Sequence, residues 1–240
     1  MTLSYDFILV LGGGRYGSIA VNRLKEKSKT ILVVDRNPNC LAATYVDKLV
    51  TSFSPRDISQ GGVFLLIEDG MSLLLDLMKG NIVPAFIVLT VPRNVMASLF
   101  IESIRMEGFN IKFDKEYMEK TALNIPEEYI LVKDPEYGVI VTSYARQDVC
   151  VEGCVQPLIC PLSGERRNKP MIELLRQLVS GDYVKIFESH LIERDVGGVP
   201  GEEVREALES FRNGHLKKGA KIAIGTACKC HGIVNFMNIV

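Results

Sequence analysis

The sequence lacks the features that would place it in several common protein classes. Its 28 lysines and arginines balance 29 acidic residues and no basic tract occurs, so nothing favours binding to nucleic acid. The longest apolar run, residues 82–91, contains Pro84 and is too short to cross a bilayer. The first residues carry no positive segment of the kind that begins a secretory signal. We therefore expect a soluble, cytoplasmic protein without membrane insertion.

Common catalytic motifs are missing as well. The chain contains no G-x-S-x-G, H-E-x-x-H or G-x-x-x-x-G-K-[ST] motif, which leaves hydrolase, zinc-protease and P-loop functions without support. Of the 3 histidines, His190 could act as a general base, but no partner for it is evident. His215 follows a predicted helix end and is expected at the surface. The catalytic residues remain unassigned, and whether the protein is an enzyme stays open.

A glycine-rich turn near the N-terminus is the most informative feature that is present. Residues 12–17 read GGGRYG, follow the apolar run 7–11 and precede a helical pattern. The next apolar run, 31–34, is followed by Asp35. A strand, a glycine turn, a helix and an acid about 20 residues further on are the fingerprint of a dinucleotide-binding βαβ unit. The sequence therefore predicts that a dinucleotide binds at this turn.

Each residue of the fingerprint has a physical role. Gly12 permits the tight turn, Gly14 lets the backbone approach a pyrophosphate, and Gly17 lets helix and strand pack closely. The helix N-terminus offers N–H groups and a positive dipole end to the phosphates. Asp35 would bind ribose hydroxyls and repel a 2′-phosphate, which favours NAD over NADP, although Arg36 leaves NADP open. The predicted dinucleotide contacts are Gly12, Gly14, Arg15, Tyr16, Gly17, Asp35, Arg36 and Thr90.

Alternating apolar runs and helical patterns predict the fold. Strands are predicted over 7–11, 31–35, 47–52 and 86–91, with a further apolar run at 63–67, and helices over 16–27, 71–79 and 94–107. Strands that are apolar throughout are typical of a parallel sheet covered on both faces. We expect residues 1–108 to form a doubly wound, Rossmann-like α/β domain that binds NAD. Residues 109–240 are expected to form an α+β region that contains the cysteines, beginning with a hairpin at 129–142.

The N-terminal pattern resembles the NAD-binding domains of potassium-uptake regulators of the TrkA-N or RCK type. The match consists of residues 8–17 and 33–38 and covers roughly the first 95 residues. By that resemblance, the three fingerprint glycines and Asp35 contact an adenine dinucleotide. In such regulators the dinucleotide is an effector whose binding is transmitted to a partner protein. The resemblance does not extend to the C-terminal half.

Cysteine is concentrated in that C-terminal half. Of 6 cysteines, Cys40 stands alone, and a disulfide framework is not expected because the cytoplasm keeps thiols reduced. The other five form two groups, with Cys150, Cys154 and Cys160 in one short loop, and Cys228 and Cys230 in a C-x-C pair. His231 follows the second group directly.

Thiolates bind zinc and iron–sulfur clusters, and four of them satisfy either centre. The spacing matches neither zinc ribbons nor ferredoxins, although Pro161 after Cys160 is typical of a ferredoxin cysteine. Three interpretations stay open: a cysteine-ligated zinc or iron–sulfur centre, a redox-active thiol pair, or buried cysteines without such a role. We favour the first, with all five C-terminal cysteines as ligands.

Two other polar pairs are candidates. Arg93 and Asn94 follow a predicted strand at its carboxyl end, where they could face the cofactor or an acidic substrate, or Asn94 could simply cap the next helix. Arg166 and Arg167 could bind an anion, but a solvated charged loop is the favoured interpretation.

The combined features predict an NAD-binding redox protein with a cysteine-ligated metal or iron–sulfur centre and an unidentified small-molecule substrate. Such a protein could be an NAD-dependent oxidoreductase. The alternative is a non-catalytic, NAD-responsive sensor that regulates a partner protein and holds a structural zinc. A third reading is a Rossmann scaffold that binds no nucleotide. A homodimer is compatible with each of these.

Overall fold

The structure, a computed structural model, describes residues 4–80, 82–146, 150–214 and 217–240. The fold is mixed α/β. The chain divides into two compact units, the first formed by Met1–Val95 with His190–Arg205 and the second by Met96–Ser189 with Glu206–Val240. These bounds differ from the predicted ranges 1–108 and 109–240, because strands that follow residue 189 join the sheet of the first unit.

Within the described residues the chain forms thirteen strands and seven α-helices. The strands are β1 (Tyr5–Leu11), β2 (Ser28–Asp35), β3 (Lys48–Val50), β4 (Gly62–Ile67), β5 (Phe86–Leu89), β6 (Ile111–Phe113), β7 (Ile130–Asp134), β8 (Val139–Ser143), β9 (Tyr183–Glu188), β10 (His190–Glu193), β11 (Val196–Pro200), β12 (Lys221–Ala227) and β13 (His231–Ile239). The helices are α1 (Arg15–Leu24), α2 (Pro55–Gln60), α3 (Gly70–Lys79), α4 (Val95–Met106), α5 (Lys115–Ala122), α6 (Met171–Leu178) and α7 (Gly201–Gly214). Residues Leu41–Tyr45 and Glu127–Tyr129 form short 3-10 helices.

The first unit is built on a seven-stranded sheet with the order β10-β11-β5-β1-β2-β4-β3. β1 pairs in parallel with β2 and β5, and β4 pairs in parallel with β2 and β3. β11 runs antiparallel to β5, and β10 antiparallel to β11. Residues 7–11 of β1 are all buried, as expected for a strand covered on both faces. The five strands predicted in this part of the chain are confirmed.

The second unit contains a sheet with the order β7-β8-β13-β12-β9, and β6 also pairs with β13. Its pairs are antiparallel except for β12 with β9, which is parallel. The predicted hairpin is confirmed as β7 and β8. The core of this unit packs α5 and α6 against the sheet, with Tyr117, Met171, Leu175 and Phe236 among its buried side chains.

The predicted helices over 16–27, 71–79 and 94–107 are confirmed as α1, α3 and α4, whereas α2 and α5 were not predicted. Both missed helices begin at polar caps: Ser54 and Asp57 form a capping box for α2, and Asp114 accepts the Tyr117 N–H at the start of α5. α2 buries no residue, so it carries no apolar periodicity to detect. No helix among the described residues is long and apolar enough to span a membrane.

Candidate functional site

The glycine turn between β1 and α1 is shaped by how little space surrounds three of its residues. Gly12 has φ +100°, and a Cβ there would lie 2.9 Å from Cγ1 of Val91. A Cβ on Gly17 would lie 1.9 Å from the Gly12 carbonyl oxygen, so helix and turn touch at this point. Gly14 differs, because a Cβ at this position would meet nothing within 4 Å. A further glycine, Gly13, is crowded as well, because a Cβ there would lie 2.3 Å from Sγ of Cys40. The turn thus requires glycine for its own packing at three positions and leaves open space at Gly14.

That open space lies at the N-terminus of α1. Gly14 is the N-cap residue of this ten-residue helix, and no side chain caps it. The first turn of a helix carries N–H groups without intrahelical partners and the positive end of the helix dipole. Arg15 and Tyr16, which follow Gly14, are exposed, Tyr16 by 61%. Three predicted contact residues therefore face solvent beside backbone donors.

Asp35 ends β2 and is held by the backbone of the turn. Its Oδ2 accepts the Gly13 N–H at 2.6 Å, and its Oδ1 accepts the Asn37 N–H at 2.8 Å. A carboxylate has about four acceptor sites, so each oxygen can accept another hydrogen bond. Asp35 consequently orders the glycine turn and still presents acceptors of the kind that ribose hydroxyls need.

Arg36 is paired with an acid. Its Nη2 donates to Oδ2 of Asp69, the residue that also accepts the Met71 and Ser72 N–H groups as the N-cap of α3. Burial acts to raise the pKa of Asp69, but the hydrogen bonds from Arg36 and these N–H groups outweigh it and leave the pKa below its ordinary value. The guanidinium charge at this position is therefore offset by a carboxylate.

Thr90 holds the turn together. Its Oγ1 lies 2.8 Å from the carbonyl oxygens of both Leu11 and Gly12. Because the hydroxyl carries one proton, it donates to one of these at a time. The structure thus places this predicted contact residue against the backbone of the fingerprint, where it fixes the approach of β5 to the turn.

A groove of about 290 Å³ lies at the carboxyl ends of β1, β2 and β5. It is lined by residues from these strand ends, including Asp35 and Arg36, and by residues 68–71 and Arg93. Asn94, the neighbour of Arg93, is buried. Of the two polar residues predicted after this strand, Arg93 is the one that reaches the groove.

The five C-terminal cysteines converge in the second unit. Four of them line one small cavity, namely Cys150, Cys154, Cys160 and Cys230. Cys228 joins them through His231, whose Nδ1 lies 3.6 Å from its Sγ. The other ring nitrogen, Nε2, lies 3.2 Å from Sγ of Cys150. The fold thus brings together two groups of cysteines that are far apart in sequence, with an imidazole between them.

The backbone around these cysteines donates hydrogen bonds to sulfur. In the turn from β12 to β13, Sγ of Cys228 accepts the N–H groups of Cys230 and His231, both at 3.3 Å. In the loop after β8, Sγ of Cys154 accepts the Gln156 N–H at 3.4 Å. Hydrogen bonds to a sulfur favour its thiolate form, which is the form that binds metals. Each of the two cysteine groups therefore contains a sulfur that accepts backbone N–H groups.

The surroundings of the clustered sulfurs disfavour the thiolate form of several of them. Burial raises the pKa of Cys150 and of Cys228, and raises the pKa of Cys230 to about 12. Repulsion from neighbouring sulfurs adds to the rise for Cys150 and Cys230. For Cys160, burial acts in the same direction, but hydrogen bonds with Ser163 and nearby backbone leave the pKa below its ordinary value. A bound cation would remove both penalties.

Arg167 lies beside this cluster and is only 7% exposed, whereas Arg166 is exposed. Its Nη2 donates to the carbonyl oxygens of Gln156 and Pro157, in the loop that carries the cysteines. Its Nε is buried without a hydrogen-bond partner. The prediction that both arginines belong to a solvated charged loop is wrong for Arg167, because its side chain packs under that loop.

Comparison with known proteins assigns the chain to a family. Two models of the AF_1314 family match it: one described as an uncharacterized protein, N-terminal domain, over residues 7–95, and one described as an uncharacterized protein, C-terminal domain, over residues 94–240. The chain belongs to this family. An uncharacterized protein of Archaeoglobus fulgidus is 31% identical over 226 residues, which span 94% of this chain and 96% of that protein. No solved structure matches the chain.

Membership of the AF_1314 family does not indicate a TrkA-N, RCK or Rossmann family, so the resemblance of the N-terminal residues stays a prediction. The metal prediction is likewise open. Across the described ranges, no three Cys, His, Asp or Glu side chains are arranged so that they could hold a metal ion. The predicted ligands are gathered in one place, but their side chains would have to move to bind a common ion.

Two further predictions concern histidine. His190 lies in β10 of the first unit, its ring 6.4 Å from that of Phe86, and is not part of the cysteine cluster. His215 lies outside the described residues. His231 was noted only as a neighbour of the cysteines, yet it contacts both groups. Burial lowers its pKa, so its ring is neutral near pH 7 and keeps a lone pair available.

Proposed function

We propose that this AF_1314 family member is an NAD-binding redox protein. Its first unit would be a doubly wound, Rossmann-like domain, and its second unit would hold a cysteine-ligated zinc or iron–sulfur centre. The substrate and the catalytic acid or base are not assigned. The two parts of the proposal rest on different observations and can be tested separately.

The strand order supports the dinucleotide domain. β4, β2, β1 and β5 are parallel neighbours. The chain runs from β1 to β2, then to β3 at the sheet edge and back to β4 between β2 and β3, before it crosses to β5 on the other side of β1. In open parallel sheets, ligands bind at the carboxyl ends of the strands where such a reversal occurs. The glycine turn and the groove lie at these strand ends.

The observation that carries the dinucleotide proposal is the contrast between Gly14 and Gly17. At Gly17 the absence of a side chain serves internal packing, whereas at Gly14 it serves nothing inside the chain, since a Cβ there would meet no atom within 4 Å. Space at a helix N-terminus next to a groove fits a pyrophosphate. The pairing of Arg36 with Asp69, and the presence of Asp35, favour a ribose hydroxyl over a 2′-phosphate and hence NAD over NADP.

Convergence of the cysteines supports the second part. Five sulfurs and one imidazole from distant segments meet in one place, and several sulfurs accept backbone N–H groups. The residues that would hold a centre are Cys150, Cys154, Cys160, Cys228 and Cys230. An iron–sulfur centre would supply electron transfer, and zinc would supply structural stability or a Lewis acid.

A non-catalytic, NAD-responsive module with a structural zinc is the second candidate. It is favoured by the distribution of the two sites, because the glycine turn lies in one compact unit and the cysteine cluster in the other. A ligand in one unit could then act as an effector while the other unit holds only a structural ion. Consumption of NADH by the purified protein with an electron acceptor would favour the redox protein over this module.

The dinucleotide proposal is tested by placing a methyl group in the open space. Gly14→Ala should leave the fold intact but weaken NADH binding, measured by fluorescence titration of the full chain, about tenfold or more. A loss of that size corresponds to roughly 1.4 kcal/mol of lost interaction. Gly214→Ala is the matched control, because a Cβ there also meets nothing within 4 Å and the position ends α7. Equal NADH affinity for wild type and Gly14→Ala would reject the assignment of the turn.

A further inference from the structure

Arg167 is a buried charge, and the residues that the structure describes supply hydrogen-bond acceptors for only part of its guanidinium group. Two carbonyl oxygens accept from its Nη2, while its Nε has no partner. Among the described residues no carboxylate lies within ion-pair distance of it. A buried guanidinium without an anion is costly, because desolvation of a charge is offset only by pairing and hydrogen bonding. The fold therefore places a positive charge where its anion is still to be identified.

The carboxylate nearest in sequence does not serve as that anion. Glu165 accepts from Tyr129 at 3.0 Å and pairs with Arg146 at 3.3 Å. Arg166, the immediate neighbour of Arg167, is exposed, so the buried position of Arg167 is not imposed on the whole segment. Of these two adjacent arginines, only Arg167 is buried beneath the loop.

The loop segment that Arg167 binds lies next to the cysteine sulfurs. Pro157, whose carbonyl it binds, lines the same small cavity as four of the cysteines. The charge of the guanidinium also acts to lower the pKa of Cys160, Cys228 and Cys230, although burial or hydrogen bonds have the larger influence on each. Other groups under its influence are His231 and Tyr144, neither of which carries negative charge near pH 7.

We infer that Arg167 is the positioning residue that offsets the net negative charge of a thiolate-bound metal centre in the cysteine cluster. This inference rests on the proposed metal centre and adds the residue that balances the charge of that centre. Four thiolates around a divalent ion carry a net charge of about −2, and a counter-charge stabilises such an anion where, as at Cys160 and Cys230, its ligands are buried. Hydrogen bonds and charges just outside the ligands also set metal affinity and reduction potential.

The experiment uses Co²⁺ as the probe, because cobalt bound by thiolates absorbs strongly in the visible and near-ultraviolet range. The full chain, purified without oxygen and stripped of metal, is titrated with Co²⁺ as wild type, Arg167→Met and Arg167→Lys. We expect Arg167→Met to bind Co²⁺ about 10–100-fold more weakly, as is typical for loss of a residue that supports the ligands. Arg167→Lys, which keeps the charge, should recover most of that affinity. Arg166→Met, the exposed neighbour, is the matched control and should bind as wild type.

Each outcome has a distinct meaning. If wild type shows no thiolate–cobalt absorption, a mononuclear zinc-type centre at these cysteines is rejected, and the role of Arg167 at such a centre is rejected with it. If wild type binds Co²⁺ and Arg167→Met binds it equally well, the centre stands and the role of Arg167 is overturned. If Arg167→Lys is as weak as Arg167→Met, and thermal unfolding shows both to be destabilised, Arg167 acts only by holding the loop carbonyls, and the inference is again overturned.

Discussion

The candidate sites of the two units are built from different kinds of chemical group. In the first, the groups at the glycine turn are mostly backbone: N–H donors at the start of α1, next to a turn that Asp35 and Thr90 hold in place. In the second, they are side chains, and the sulfurs come from two segments that meet only in the folded chain. The first site is largely complete without a ligand. The second gathers thiols whose charged forms repel each other, so its stability depends on what binds there.

This contrast teaches how each site should respond to change. A backbone site is damaged by added bulk or by loss of the side chains that order the turn, with little dependence on redox conditions. A thiolate site is damaged by loss of any ligand or of its counter-charge, and the damage should appear in metal content before it appears in the fold. The predictions below separate the two responses.

The largest effect is expected from removing cysteines. Cys154→Ala with Cys160→Ala, and Cys228→Ala with Cys230→Ala, each leave three of the five cysteines, fewer than the four thiolates that either centre needs, so either double variant should reduce the metal bound after anaerobic purification to near zero. Elemental analysis of zinc and iron measures this. Cys40→Ala is the matched control, because Cys40 lies in the first unit and should leave metal content unchanged. Full metal content in both cluster variants would contradict the proposed metal centre of the second unit.

An intermediate effect is expected from Asp35→Ala. The substitution leaves the N–H groups of Gly13 and Asn37 without their acceptor, which should cost about 1–3 kcal/mol of unfolding free energy in urea. It should also weaken NADH binding and leave metal content as in wild type. Asp6→Ala, an exposed acid near the other end of β1, should change neither property. Unchanged NADH affinity in folded Asp35→Ala would remove Asp35 from the ligand site.

The smallest effect concerns pH and the first unit. The pKa of Asp57 is lowered by hydrogen bonds from Ser54, and the pKa of Glu193 is lowered by its hydrogen bond with Lys27. A carboxyl group whose pKa is depressed on folding adds stability above its unfolded pKa, here 3.8 and 4.5, and this stability is lost as pH falls through the folded pKa.

Urea midpoints should therefore decline modestly between pH 5 and pH 3, because both carboxyl groups are only partly buried and such pairs contribute about 0–1 kcal/mol. Asp57→Asn, which cannot titrate, should show a shallower decline than wild type. An identical pH profile for the two proteins would show that the Ser54–Asp57 capping box adds no pH-dependent stability.

The first site was the more predictable because its signals are local. Glycine spacing, the apolar run before it and Asp35 all lie within one βαβ segment, and the strands and helices predicted there are confirmed. The hydrogen bonds between Asp35 and the turn, and the position of Thr90, could not be read from spacing, since both depend on which carbonyl and N–H groups the sheet brings near.

The second site was predictable only as a list of sulfurs. Convergence of residues 150–160 with residues 228–231 follows from the pairing of β8 with β13, which no short-range pattern encodes. Arg166 and Arg167 are identical in type and adjacent, yet one is exposed and the other buried. Only the fold of the loop separates them, so sequence reasoning assigned the same role to both.

The pairing of β11 with β5 has a consequence for how the chain is made. Val199 lies opposite Ile87. During synthesis the edge of β5 therefore stays unpaired until the residues between these two positions have left the ribosome. At ordinary elongation rates this wait lasts roughly 5–20 s. An open strand edge on a nascent chain is a template for misassembly. A fragment ending near residue 95 would keep that edge open permanently, and expression of the N-terminal part alone should therefore include residues 190–205 or a substitute for them.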